Sequence, residues 1–168
     1  MSHALVFIAD GFEGVEVGTV SVGEGLERMG AHEVPVRCDM PLDAAPWARA
    51  DMLVLPGGWP GAENLGKCQV LRKKLLEFSR DANRSVGAIC AAPYVLGGLG
   101  ILKERRATCY PGFEKYLEGA EVTGARVERA GNVITGRGPG VAQDFALALL
   151  EKLEGKAKAE EVRGGLVP

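Results

Sequence analysis

Three features of the sequence predict an α/β fold: a mainly parallel sheet covered by helices on both faces. Short continuous apolar runs recur along the chain, amphipathic segments at helical spacing lie between them, and Gly-rich turns mark several of the changes from one to the other. The 168 residues fit one domain spanning 1–168, long enough to bury a substantial core.

The elements follow in order. "ALVFIA" (4–9) reads as a strand buried on both faces. Val15, Val22, Leu26 and Met29 then share one helical face, although Gly14, Gly18, Gly23 and Gly25 each weaken a helix by about 1 kcal/mol relative to Ala. "HEVPVR" reads as a second strand, with Pro35 arguing for an edge or an irregularity, and "CDMPLDAAPWARA" as a loop or broken helix. "DMLVLPGG" is a buried strand ending in a Gly turn, and 70–82 a helix with Leu71, Leu75 and Phe78 on one face. "SVGAI" is the next strand and 92–99 the helix after it. "RVERAGNVIT" reads as a hairpin turning at Ala130-Gly131-Asn132, and Val141, Phe145, Leu149 and Leu153 mark a closing amphipathic helix.

Composition removes several classes of function. Apolar residues make up 46% and charged residues 25%, values ordinary for a soluble globular protein, and a formal charge of −2 leaves no basic footprint for nucleic acid. No run approaches the roughly 20 apolar residues that span a bilayer, and no cationic segment precedes the first apolar run, so a cytoplasmic protein without membrane partners is expected. Cys38, Cys68, Cys90 and Cys109 form no C-x-x-C pair, and only His3 and His32 are available beside them, so neither a disulfide framework nor a metal site is expected.

Three segments fall where predicted strands end, the place where open parallel sheets bind ligands: 10–16, 56–59 and 90–93. Cys90 has two readings. It is a small buried hydrophobe, as free cysteines commonly are, or a nucleophile on a tight strand-to-helix turn among Gly87, Ala88, Ala91 and Ala92, with the following helix start favouring thiolate and the Ala91 amide facing an oxyanion. "LPGG" is a plain turn, or a place where missing side chains bring backbone N–H groups against a bound oxygen. Glu13 and Glu16 in "DGFEGVE" complement a helix dipole, or one of them faces Cys90 as a protonated carboxyl able to work as general acid and base.

"AICAAP" after "LPGG", with an early "FEGVE" and a late "TGRGPG…FALALLE", resembles the ThiJ/PfpI superfamily along nearly the whole chain, and within it the deglycase and glyoxalase III branch. The resemblance implies a flavodoxin-like three-layer sandwich (a class I glutamine amidotransferase-like domain) that is usually dimeric and needs no metal or organic cofactor. By position it makes Cys90 the nucleophile and Glu16 its carboxylic partner, places Gly57, Gly58 and Ala91 around an oxyanion, and puts Glu13, Arg137 and Pro139 at the pocket edge. The implied activity is conversion of small carbonyl compounds, above all 2-oxoaldehydes such as methylglyoxal, or removal of their adducts. Oxidation of Cys90 as a redox signal in a stress or chaperone-like protein, amidase or peptidase chemistry, and a binding domain that has lost activity are the other readings.

The sequence departs from the family pattern at four places. Tyr110 stands where many relatives carry a histidine, so an amidase has no visible base and a cysteine–glutamate site remains. "CDMPLDAAPWARA" is too short for the β-hairpin relatives insert before the "LPGG" strand. "VGTVSVGEGLERMG" is slightly longer and more Gly-rich than the family helix. Trp59 follows "LPGG" where a smaller polar residue is common and narrows the pocket.

Overall fold

A computed structural model of the chain describes residues 4–8, 20–30 and 32–166. The strands and helices are β1 (Ala4–Ile8), β2 (Val20–Ser21), β3 (Glu27–Met29), β4 (Pro35–Arg37), β5 (Met40–Pro41), β6 (Met52–Leu55), α1 (Gly61–Lys67), α2 (Gln69–Arg80), β7 (Ser85–Ile89) and α3 (Pro93–Gly98). They continue with β8 (Arg106–Ala107), β9 (Glu121–Val122), β10 (Val127–Ala130), β11 (Val133–Gly136), α4 (Ala142–Glu154) and α5 (Lys156–Gly165).

The main sheet runs β10-β11-β7-β6-β1-β2-β5. Every neighbouring pair is parallel except β10 with β11, the predicted hairpin. The period-2 alternation of side chains splits the core in two. Leu53, Leu55, Val86 and Ala88 join Leu65, Leu71, Leu75 and Phe78 of α1 and α2, together with Leu96 of α3. Met52, Val54, Ile89 and Ile134 join Phe145 and Ala148 of α4. Helices therefore cover both faces, and the three-layer architecture is the expected one. Asn132 fixes the hairpin turn to the end of α2: its amide NH₂ lies 3.0–3.2 Å from the carbonyls of Phe78, Ser79, Asp81 and Arg84.

The region after β2 differs from the sequence expectation. Of the four residues placed on the first helical face, Val15 lies outside the described residues, and Val22, Leu26 and Met29 belong to no helix. The second strand of the sheet is β2, and "HEVPVR" supplies only β4, which pairs antiparallel with β3 outside the main sheet. A β-hairpin is thus present, upstream of where the sequence pattern looked for it, and the short "CDMPLDAAPWARA" segment contributes the edge strand β5.

The cause is local. Gly23 and Gly25 take φ of +127° and +74°, conformations open to glycine and closed to a helix. The buried Arg28 guanidinium folds back over Gly23 and donates from Nε to Ser21 Oγ (2.8 Å) and from Nη2 to the carbonyls of Glu24 and Gly25. A buried charge must be satisfied by polar partners, and this loop supplies them.

Small residues also set how closely layers approach. A Cβ on Gly97 would lie 2.2 Å from the Tyr116 carbonyl oxygen and 3.0 Å from Leu117 Cα, whereas one on Gly98 meets nothing within 4 Å. Gly97→Ala is therefore expected to destabilise the fold by about 1–3 kcal/mol. Gly98→Ala is expected to leave stability unchanged or raise it by up to about 1 kcal/mol. Urea unfolding of the two variants reads the difference, and equal midpoints would contradict the packing account.

Candidate functional site

The strand order reverses between β1 and β6, and the turns that leave β6 and β7 lie side by side at that crevice, where open sheets bind ligands. β7 is buried along all five residues, and the chain then turns at Cys90 with φ +63°. A non-glycine residue in this region costs about 1–3 kcal/mol and persists only where its surroundings enforce it. Two hydrogen bonds do so: Cys90 N–H donates to the Gly136 carbonyl (2.9 Å), and the Tyr110 N–H donates to the Cys90 carbonyl (2.8 Å).

Gly57 completes the enforcement. A Cβ there would stand 2.4 Å from Cys90 Cβ and 3.0 Å from its Sγ, so the β6 turn closes against the sulfur only because Gly57 has no side chain. Cys90 itself is buried, 6% exposed, in the cluster that includes Ala62, Ile89 and Ala91. Burial alone fits the inert reading. The left-handed backbone separates it from that reading, since an ordinary core cysteine takes strand or helix dihedrals without cost.

Two backbone donors border the sulfur's turn. The N–H groups of Ala91 and Gly58 make no hydrogen bond to any described residue, although both residues are buried. Buried amides are nearly always paired, so two without an acceptor beside one thiol are suited to an oxyanion. The helix that follows is shorter than the sequence suggests. α3 holds six residues, Pro93–Gly98, and its field at Cys90 is correspondingly limited.

Trp59 is 48% exposed. It packs edge-on against Tyr94 (5.6 Å between ring centroids) and at a tilt against Phe113 (5.7 Å), and Tyr116 extends the cluster. Sequence reasoning did not find this aromatic wall, although "PYVLGG" and "YPGFEKY" carry its members. Tyr110 is 45% exposed and lies beside Gly138. Arg137 and Pro139, both exposed, line a cavity with Tyr110. Cys109 is 3% exposed, and burial, reinforced by Glu114 and Cys90 nearby, pushes its thiol up to about 11 against the pull of the Arg137 guanidinium. Glu13 and Glu16 lie outside the described residues. His32 is exposed between β3 and β4. Among the described residues no cluster of His, Cys, Asp and Glu is built to hold a metal ion, and no helix is long and apolar enough to cross a membrane.

Comparison with known proteins agrees with this geometry. Residues 2–152 match the sequence profile of the DJ-1/PfpI family. The chain is 36% identical over 155 residues to protein DJ-1 homolog B of Arabidopsis thaliana, covering 92% of this chain and 35% of that protein. The chain thus spans about a third of the length of this plant relative. It is 34% identical over 165 residues to glutathione-independent glyoxalase DJR-1.2 of Caenorhabditis elegans, covering 92% and 88%. The oxidized DJ-1 of Toxoplasma gondii superposes with a TM-score of 0.92 at 27% identity, over 99% of this chain and 98% of that one.

Two outcomes follow from the packing. Gly57→Ala forces the β6 turn away from the sulfur and is expected to change the rate of Cys90 alkylation severalfold while the fold survives. Mass spectrometry of the alkylated peptides reads it, and an unchanged rate would mean the close approach is incidental. Cys109 ionises only near pH 11, so at about pH 8 it is expected to remain unmodified in the same experiment, and its labelling would contradict the burial argument.

Proposed function

The chain belongs to the DJ-1/PfpI family, and from that premise we propose that it is a cofactor-independent, cysteine-dependent enzyme of the glyoxalase or deglycase type. Its substrates are small 2-oxoaldehydes such as methylglyoxal, or their adducts. The observation that carries the reading is the left-handed backbone of Cys90, held against Gly57 with two unpaired amides beside it.

The chemistry runs as follows. The Cys90 thiolate attacks the aldehyde carbon, forming a C–S bond and an alkoxide. The Ala91 and Gly58 N–H groups stabilise that alkoxide, which on protonation becomes a hemithioacetal. Glu16, assigned to this role by its place in "FEGVE", removes the proton from the former aldehyde carbon and returns it to the neighbouring carbon through an enediol. The product is a 2-hydroxy thioester. Water then cleaves the C–S bond, releasing lactate from methylglyoxal and regenerating the thiol. Electrons move only between the two carbons, so no external oxidant or reductant enters. Tyr110, joined to Cys90 through the backbone, stands where an assisting histidine would otherwise be.

A lactate assay with methylglyoxal on the unmodified chain, Cys90→Ser and Glu16→Gln tests the reading. Turnover is expected in the first and none above background in the second, and Glu16→Gln is expected to lower kcat by about 100-fold or more. Full lactate production by Glu16→Gln would remove Glu16 from the mechanism. Dioxidation of Cys90 by mild peroxide with no turnover would put redox sensing first.

A further inference from the structure

A cavity of about 290 Å³, open to solvent, has walls that include Tyr110, Arg126, Arg137, Pro139, Gly140 and Val141. Two of its walls are linked to the Cys90 turn through the backbone. Gly136, which accepts the Cys90 N–H, is followed directly by Arg137, and Tyr110, which donates to the Cys90 carbonyl, forms another wall.

The two guanidinium groups on this wall are not equivalent. Arg126 is committed: its Nε and Nη2 donate to Asp144 Oδ2 at 2.8 and 2.6 Å. Among the described residues, Arg137 donates once, from Nη1 to the Gly124 carbonyl at 2.8 Å, and forms no ion pair with a carboxylate. Four of its five N–H donors are left for a ligand. Its charge is felt at Cys109, one residue from Tyr110, where it opposes the rise of that thiol. The Tyr110 side chain likewise makes no hydrogen bond to any described residue. α4, thirteen residues long, begins at the same wall without a capping side chain at Val141.

We propose that Arg137 is a specificity residue that anchors a carboxylate at the far end of the substrate, so that the preferred substrates are 2-oxoaldehydes bearing a carboxylate tail. The proposal rests on the reading of Cys90 as a nucleophile toward 2-oxoaldehydes. One unpaired guanidinium, with its neighbour already neutralised, matches a monoanion held by two parallel hydrogen bonds. With such a substrate the reaction stays balanced. For 4,5-dioxopentanoate the aldehyde carbon joins sulfur and a hydrogen passes from it to the ketone carbon. Water then cleaves the C–S bond to give 2-hydroxypentanedioate.

The test compares kcat/KM for 4,5-dioxopentanoate with that for methylglyoxal in the unmodified chain, Arg137→Gln and Arg137→Lys. The ratio is expected to fall about tenfold in Arg137→Gln, chiefly through KM, and less in Arg137→Lys, which keeps the charge but loses the planar fork. A ratio unchanged in Arg137→Gln overturns the proposal, because a merely structural role would lower both substrates together. A second readout needs no turnover: the rate at which iodoacetate alkylates Cys90 relative to neutral iodoacetamide. That ratio is expected to fall severalfold in Arg137→Gln and, for the unmodified chain, at about 1 M salt, where the Debye length is about 3 Å. If the unmodified chain converts neither aldehyde, the glyoxalase reading fails by itself and the alkylation ratio decides the anchor: a fall supports it, and no change ends it.

Discussion

The left-handed backbone at Cys90 is the constraint on which the rest of the site depends. Its cost of about 1–3 kcal/mol has to be offset by its surroundings. The surroundings are backbone groups from two separate segments, the Gly136 carbonyl at the end of β11 and the Tyr110 N–H after β8. The first is held by the sheet. β11 is paired along its length with β7, so the strand that carries Cys90 and the strand that holds its N–H are one rigid unit. The turn is therefore fixed by the sheet itself, and a side-chain substitution near the sulfur acts on it only by displacing a strand or a neighbouring turn.

Absent side chains make this arrangement possible. Gly57 lets the β6 turn reach the sulfur. Gly136 stands where a Cβ would lie 2.9–3.1 Å from Ile89 and Phe145, and Gly87 where one would lie 2.8 Å from Leu149 and 3.2 Å from Phe145. The last two bring α4 down onto β7 and β11, the strands that fix Cys90. Close packing of one helix and presentation of one thiol are thus the same structural decision, because interiors packed this densely transmit small displacements.

Most of the fold was legible in the sequence where burial alone decides structure. "MLVL" and "SVGAI" are buried on both faces and read as continuous apolar runs, and α2 and α4 show their apolar stripes directly. The failure between Val22 and Met29 is instructive. Apolar residues there fall at helical spacing by coincidence, while the conformation is set by Arg28 and its partners, Ser21 and the carbonyls of Glu24 and Gly25. A buried arginine gives no periodic signal. The candidate site divides in the same way. Cys90, Gly57 and Ala91 stood out because tight turns demand small residues at fixed places. The Trp59–Tyr94–Phe113–Tyr116 wall and the Arg126–Asp144 pair join positions far apart in the chain, and spacing cannot announce them.

Those contacts give the crevice two unlike sides. Phe113 packs against the cluster that contains Cys90, and through it the β6 turn and α3 present an aromatic wall. Across the turn, the two ends of the β10–β11 hairpin present guanidinium groups, Arg126 before β10 and Arg137 after β11, and pairing sets them apart. Arg126 carries the same charge as Arg137, but Asp144 holds it in a doubly hydrogen-bonded pair that is already neutral. Arg137 forms no ion pair with any described carboxylate, and its charge lowers the buried Cys109 thiol against the rise that burial imposes. On the proposed reading, a thiol flanked by an apolar wall and a guanidinium orients a small carbonyl compound, because its polar and apolar ends meet unlike surroundings. Orientation of this kind works only if the sulfur is held still, which returns the argument to the backbone of Cys90.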